Sequence, residues 1–231
     1  LTKTCFNVLE WFCGGGGAAI GMLQAGCDVT GVDIDPLCSK WYPGRFILHD
    51  VFTLHQMLDW PQILAKTDLI WASPKCQHHS SMTRIRGDPA NHPDQIPQTR
   101  EMLGALGKPY IIENVPGAPL RKDLELCGLM FGLPLYRHRI FECSFPVKQP
   151  SHPKHTGQQK FSVVGRLVST KRKGGSKRYQ EMKAAWPIAM GITHISVNAS
   201  TTDGHNMFSQ AIPPAFSTYL IEQFKKQVKS K

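Results

Sequence analysis

The run FNVLEWF (residues 6–12) breaks into CGGGG and then into AAIGMLQAG, where Ala18, Ile20, Met22 and Leu23 recur at helical spacing before Gly26. A short apolar stretch halted by glycines reads as a buried strand, and Gly26 reads as a helix stop. DVTGVDID (28–35) follows as a second strand that finishes in acids. Strand, glycine turn, helix and strand in this order open a doubly wound, mostly parallel α/β sheet of the Rossmann-like kind.

The same pattern continues along the chain. RFILHD (45–50), TDLIWASP (67–74), PYIIENV (109–115) and RHRIFEC (137–143) read as further strands. QTREMLGALG (98–107) is a helix closed by glycine, and an amphipathic helix is expected after Pro213–Pro214. Asp33, Asp35, Asp50, Cys76, Glu113 and Asn114 all fall at strand C-terminal ends, the edge of an open α/β sheet where ligands bind.

The 231 residues suffice for one substantial core. No run of about 18 apolar residues occurs, and LTKTCFNVLEWF lacks a signal-peptide layout. A cytoplasmic chain with no membrane partner is the expectation. The seven cysteines include no CxxC pair, which argues against a disulfide framework or a zinc ribbon, and no metal is expected.

Charge is distributed unevenly. The net charge is +10, and Lys148 to Lys183 alone holds ten Lys/Arg against one acid, Glu181, for +9. Such a concentration points to a polyanion, nucleic acid first. From residue 146 the text turns loop-like, with FPVKQPSHPKHTGQQK, a strand candidate FSVVGRLV and a basic turn KRKGGSKR. Residues 1–145 and 187–231 are therefore expected to form the catalytic body, with 146–186 a small basic insert.

Each candidate residue has a plain reading beside the chemical one. Gly14–Gly17 would let backbone approach a ligand at a helix N-terminus, or would merely turn the chain. Their spacing departs from GxGxxG, which makes a nicotinamide dehydrogenase remote. Asp33 suits a diol, with Asp35 its competitor, and Asp50 suits an exocyclic amine; alone, each is an ordinary strand-end acid. Together they favour an adenosyl-containing cofactor. In ASPKCQHHS (72–80), Cys76 is a structural thiol or a nucleophile whose pKa falls beside Lys75 and a helix N-terminus. His78 and His79 read as polar loop or phosphate contacts, since a third metal partner is missing from the text. Glu113 closes a buried apolar run and so must be hydrogen-bonded or functional, able to hold a proton. Arg137 and Arg139, two apart on a strand, would share one face and clamp a phosphate or ring carbonyl, or form surface ion pairs.

The ordered set FCGGGG, VDID, ASPKCQHHS, ENVPGAPL, YRHRIFE and SQAIPPAF resembles the cytosine-C5 DNA methyltransferase family, nearest its short phage-type members. The resemblance covers most of residues 6–143 and returns at about 186–224. It implies that Phe12, Gly14, Gly15, Gly16, Gly17, Asp33, Ile34, Asp50, Pro74 and Lys75 bind S-adenosylmethionine. Cys76 would then attack C6 of a flipped cytosine, with Glu113 on the base edge and Arg139 and Arg137 steadying the base or the Cys76 loop. DNA contacts are expected from Gln77, His79 and Ser80 and, in the basic insert acting as target-recognition region, from Arg166, Lys171, Arg172, Lys173, Lys177 and Arg178. A monomer working on DNA in a bacterial or phage-infected cell follows.

Two positions depart from the family. Lys75 stands where proline is usual, and Gln210–Ala211 where Gly-Asn is usual. Lys75 has three readings: a solvated substitution, a thiolate activator, or a partner for an anion. That anion would be a target phosphate or the carboxylate of carboxy-S-adenosylmethionine, which would make the protein a carboxymethyltransferase. A tRNA cytosine-C5 methyltransferase and a catalytically silent DNA-binding module remain as alternatives.

Overall fold

A computed structural model describes residues 5–80, 83, 88–156, 163, 181 and 183–229. Seven strands form one sheet: β1 (Asn7–Trp11), β2 (Asp28–Asp33), β3 (Arg45–Leu48), β4 (Leu69–Ala72), β5 (Tyr110–Asn114), β6 (Leu124–Leu126) and β7 (Arg139–Cys143). Their order is β3-β2-β1-β4-β5-β7-β6. The first five are parallel, and β7 runs antiparallel to both β5 and β6. The doubly wound sheet read from the sequence is the one observed, with strand ends displaced by at most two residues.

The central strands are buried on both faces, as a parallel sheet requires. Alternation sends Val8, Leu69, Trp71, Ile111 and Phe141 to one side. Leu9, Trp11, Ile70, Ile112 and Ile140 go to the other. The first face is covered by α1 (Gly17–Gln24) and by the long C-terminal helix Pro214–Lys229. The second is covered by α2 (Trp60–Lys66) and α3 (Ile96–Leu106), the latter ended by Gly107 in the left-handed region. Full burial of each large apolar side chain contributes about 1.5–3 kcal/mol.

The chain's far end returns to its beginning. Two short helices, α4 (Trp186–Met190) and α5 (Met207–Gln210), precede the C-terminal helix, α6. A third cluster, including Trp186, Ile195, Met207 and Phe208, joins this segment to Cys38 and Leu135. On α6, Ser217 and Thr218 donate to the carbonyls of Ala18 and Gly21, and Lys225 caps the Ala25 carbonyl at the end of α1. A Cβ on Gly21 would lie 2.0 Å from the Pro214 carbonyl oxygen, so glycine there is what lets the two helices meet. No described helix is long and apolar enough to cross a membrane. The strand candidate at 161–168 lies outside the described residues, Val163 excepted.

Candidate active site

A cavity of about 520 Å³ opens at the C-terminal edge of the sheet, a size typical of small-molecule sites. Its lining draws on the ends of β1, β2, β4, β5 and β7, the loop after β3, and the segment 201–212.

At the β1 end, Phe12 has φ +56°, the one positive value outside glycine among the described residues. Holding a bulky L-residue there costs about 1–2 kcal/mol. The turn presents its ring to the cavity, against Phe52 at 5.6 Å. The four glycines divide. Gly14 has φ +52° and open space where a Cβ would sit, and its N–H donates to Asp33 at 2.9 Å. A Cβ on Gly15 would meet Ile195 and Met207 within 2.9 Å, and one on Gly17 would meet Ala211 and Ile212 at 2.8 Å. Gly16 faces Pro43 and Tyr42 and does not line the cavity. Gly15 and Gly17 thus admit the protein's own C-terminal segment on their Cα side while still lining the cavity with Gly14, whose Cβ direction is open.

Acids collect at the same end. Asp33 accepts from the N–H groups of Gly14 and Asp35, and burial raises its pKa. Asp35 also lines the cavity, accepting from the N–H groups of Leu37 and Thr202. Asp50 caps the turn Val51–Gln56 through Phe52 N–H and lines the cavity. Ile34 is exposed at the rim. The sequence reading passed over Glu10, which lies on the cavity floor, 2% exposed and bonded to the Tyr42 hydroxyl at 2.8 Å. Burial pushes its pKa to about 8, so it is largely protonated at neutral pH. A charged residue inside FNVLEWF was the available signal.

The other end carries the thiol. Asn114 donates to the Pro74 carbonyl at 2.9 Å, fixing the loop that bears Lys75 and Cys76, and Gln95 Oε1 accepts from Lys75 N–H. Residues 77–79 form a turn closed by His79 N–H on the Cys76 carbonyl. Cys76, Glu113 and Arg139 all line the cavity, and Arg139 Nε lies 2.9 Å from Glu113 Oε1. Burial raises the Glu113 pKa against the pull of Arg139, Arg137 and a hydrogen bond with Ser73. Gln77 Oε1 is buried and lacks a hydrogen-bond partner among the described residues, and Gln77 also lines the cavity. It is an acceptor with no partner of its own.

Three expectations change here. The Cys76 pKa is raised, not lowered, because burial outweighs the charges of Arg139 and Arg137. Lys75 is no thiolate partner; its Nζ pairs with Asp203 at 3.6 Å on the cavity wall. Arg137 does not share the face of Arg139: β7 begins at Arg139, so strand alternation does not reach back to it. Its guanidinium is buried against the carbonyls of Ser209 and Ala211, and it locks the C-terminal segment in place.

His79 is buried and bonded to Asp94 at 2.9 Å, away from the cavity, and Ser80 is half-buried. Asp94 is the third ligand-type group that the histidine pair lacked in the sequence. It also accepts from Ile96 N–H, while His78 bonds the His92 carbonyl. Arg166, Lys171, Arg172, Lys173, Lys177 and Arg178 lie outside the described residues. Sequence reasoning did not foresee the wall built by Thr201, Asp203, Met207 and Ile212, which arrives through tertiary return of the chain.

No protein-family model and no curated protein matches the sequence. Solved structures do. A mutant of Spodoptera frugiperda DNMT2 superposes with a TM-score of 0.58 at 14% identity, covering 94% of this chain and 98% of that one. The Entamoeba histolytica methyltransferase EhMeth gives 0.60 at 11% identity over 98% and 99%. The S. pombe Dnmt2 methyltransferase gives 0.57 at 14% identity over 97% and 99%. The fold is that of these methyltransferases. In an open α/β sheet, a cavity at this edge is where ligands are expected.

Proposed function

We propose that the protein transfers a methyl group from S-adenosylmethionine to C5 of cytosine in DNA, through a covalent bond between Cys76 Sγ and C6 of a flipped-out base. The observation that carries this reading is the convergence of Cys76, Glu113 and Arg139 on one end of a cavity whose other end holds Gly14, Asp33 and Asp50.

The residues fit the donor. Gly14 leaves its Cβ direction open, Phe12 and Ile34 offer apolar surface, and Asp33 and Asp50 offer acceptors to hydroxyls and an amine. An acidic cavity end with no arginine among the described residues complements a cation. When bound, S-adenosylmethionine supplies an electrophilic methyl on a sulfonium centre.

Cytosine C5 is a weak nucleophile in an electron-poor aromatic ring. Attack of the Cys76 thiolate on C6 breaks that aromaticity and leaves C5 enamine-like. The thiol must first lose its proton, and the two arginines favour the anion once burial is compensated. Glu113, raised by burial, is suited to hold a proton toward N3 and to accept from the exocyclic amine. After C5 has accepted the new group, it gives up its proton to a base, and the electron pair expels Cys76 from C6. Flipping the base out costs a few kcal/mol. In this reading residues 146–186 form a target-recognition region that supplies phosphate contacts, and affinity falls with salt.

A second reading is favoured by one observation: Lys75 is the lysine among the described residues that line the cavity. A carboxylate on the transferred group would find it there, in competition with Asp203. Incubation of the protein with DNA and either donor, followed by nucleoside mass spectrometry, decides. A methyl increment on deoxycytidine is expected. A carboxymethyl increment lost in Lys75→Pro would install the second reading, and transfer to tRNA with none to DNA would move the substrate to RNA. No transfer to either nucleic acid would overturn both readings.

A further inference from the structure

We infer that Cys127, His138, His152 and His155 form a structural Zn²⁺ site, which pins the root of the basic segment to the outer edge of the sheet. Their four ligand-type atoms lie within 4.8 Å of one another.

Strand register and chain return bring these residues together. β6 and β7 pair antiparallel with Leu126 opposite Arg139, so Cys127 and His138 are the next pair outward. After β7 the chain doubles back along β6. There the Gln149 amide pairs with the backbone of Glu125, accepting from its N–H at 3.0 Å and donating to its carbonyl at 2.7 Å. That covers an otherwise open strand edge and delivers His152 and His155 to the same spot. The residue at the base, Cys127, is fully buried.

Two of the distances match those of a coordination shell. Cys127 Sγ lies 3.4 Å from His155 Nε2, and His138 Nε2 lies 3.2 Å from His152 Nε2. A tetrahedral zinc with bonds of about 2.3 Å to sulfur and about 2.0–2.1 Å to nitrogen has S···N edges of about 3.5 Å and N···N edges of about 3.3 Å. Pairwise hydrogen bonds would account for each contact alone. They give no reason for three imidazoles and a thiol to gather one ligand-type atom each within 4.8 Å of one another.

The outer contacts also suit a metal. His152 Nδ1 lies 2.7 Å from the Pro153 carbonyl. A proton held there leaves the Nε2 lone pair aimed inward, the arrangement by which ligating histidines are oriented. Tyr136 stacks on His155 with centroids 3.8 Å apart and rings 4° from parallel, which fixes the ring plane. One thiolate with three imidazoles favours zinc over calcium or magnesium. Binding displaces the Cys127 proton to solvent, and a closed four-residue set marks a structural rather than a catalytic site. Two ligands flank the paired ends of β6 and β7 and two sit at the start of the basic segment. The metal thus sets where that segment leaves the body of the protein.

The test is elemental analysis of the full chain, purified without chelator, with cobalt substitution as a second readout. About one zinc per chain is expected. Cobalt should give a thiolate charge-transfer band that is lost in Cys127→Ser and reduced in His152→Ala but retained in Asp94→Asn, with circular dichroism confirming the fold. Wild-type protein free of zinc and showing no cobalt–thiolate band when loaded would overturn the site. So would metal that survives Cys127→Ser and disappears in Asp94→Asn, since it would then belong to the His78–His79–Asp94 group.

Discussion

The two ends of the cavity bury carboxylates in opposite company. Around β1 and β2, Glu10 and Asp33 are both raised by burial, Glu10 further by Asp33 and Glu113, and Asp33 further by Asp35. No arginine joins them among the described lining residues, and Lys75 is the cation that acts on Asp33. Around β4, β5 and β7, Glu113 is raised by burial but drawn down by Arg139 and Arg137, which also pull on Cys76. One end is an acidic pocket short of a cation. The other is a cationic cradle around a thiol and an acid. The first suits a positively charged donor and the second suits the making of an anion, so one sheet edge can host both halves of a group transfer.

Removing the thiol should break the second end outright. Cys76→Ser is expected to lower single-turnover transfer by about 10³-fold or more, with donor affinity measured by calorimetry essentially unchanged. A serine variant of wild-type rate would contradict the role.

Arg139→Gln tests the cradle itself. It strips Glu113 of its ion pair, and breaking a buried pair costs about 3–5 kcal/mol, read by denaturant unfolding. With a cation gone, the Cys76 pKa rises further, so the limb of the rate–pH profile set by thiol ionisation should move to higher pH. An unmoved limb would assign thiol activation elsewhere.

Asp33→Asn sharpens the contrast from the acidic side. Loss of one charge-assisted hydrogen bond should weaken donor binding about 10-fold while leaving the maximal rate nearly intact.

The smallest effect concerns Glu10. Its folded pKa of about 8 exceeds its ordinary 4.5, so between these values the folded state binds a proton that the unfolded state has released. Stability should therefore fall as pH rises through that window and level off above it. Glu10→Gln should flatten the dependence, with melting temperatures at pH 8.5 rising by about 2–4 °C for each kcal/mol recovered.

Much of this was legible because the sheet is buried on both faces. FNVLEWF, TDLIWASP and PYIIENV announce central strands by continuous apolar content, and their polar ends fall at the ligand edge by topology alone. The edge strand β6 is three residues long and leaves too little periodicity to read. The packing role of Gly15 and Gly17 was not legible, because the residues that crowd them, Met207 and Ala211, lie almost 200 positions away in sequence. Arg137 was misplaced by extending strand alternation beyond the strand's first residue. The Cys127 cluster escaped a search for CxxC because two of its members meet through strand pairing and two through chain return.

The central claim is that Cys76 bonds to a cytosine held beside Glu113. DNA containing 5-fluorocytosine, incubated with the protein and S-adenosylmethionine, blocks loss of the C5 substituent after transfer and so should trap the complex. The account predicts a denaturant-stable protein–DNA adduct whose peptide map places the base on Cys76, absent in Cys76→Ser. Methyl transfer to ordinary DNA with no such adduct, or an adduct mapped to another cysteine, would contradict it.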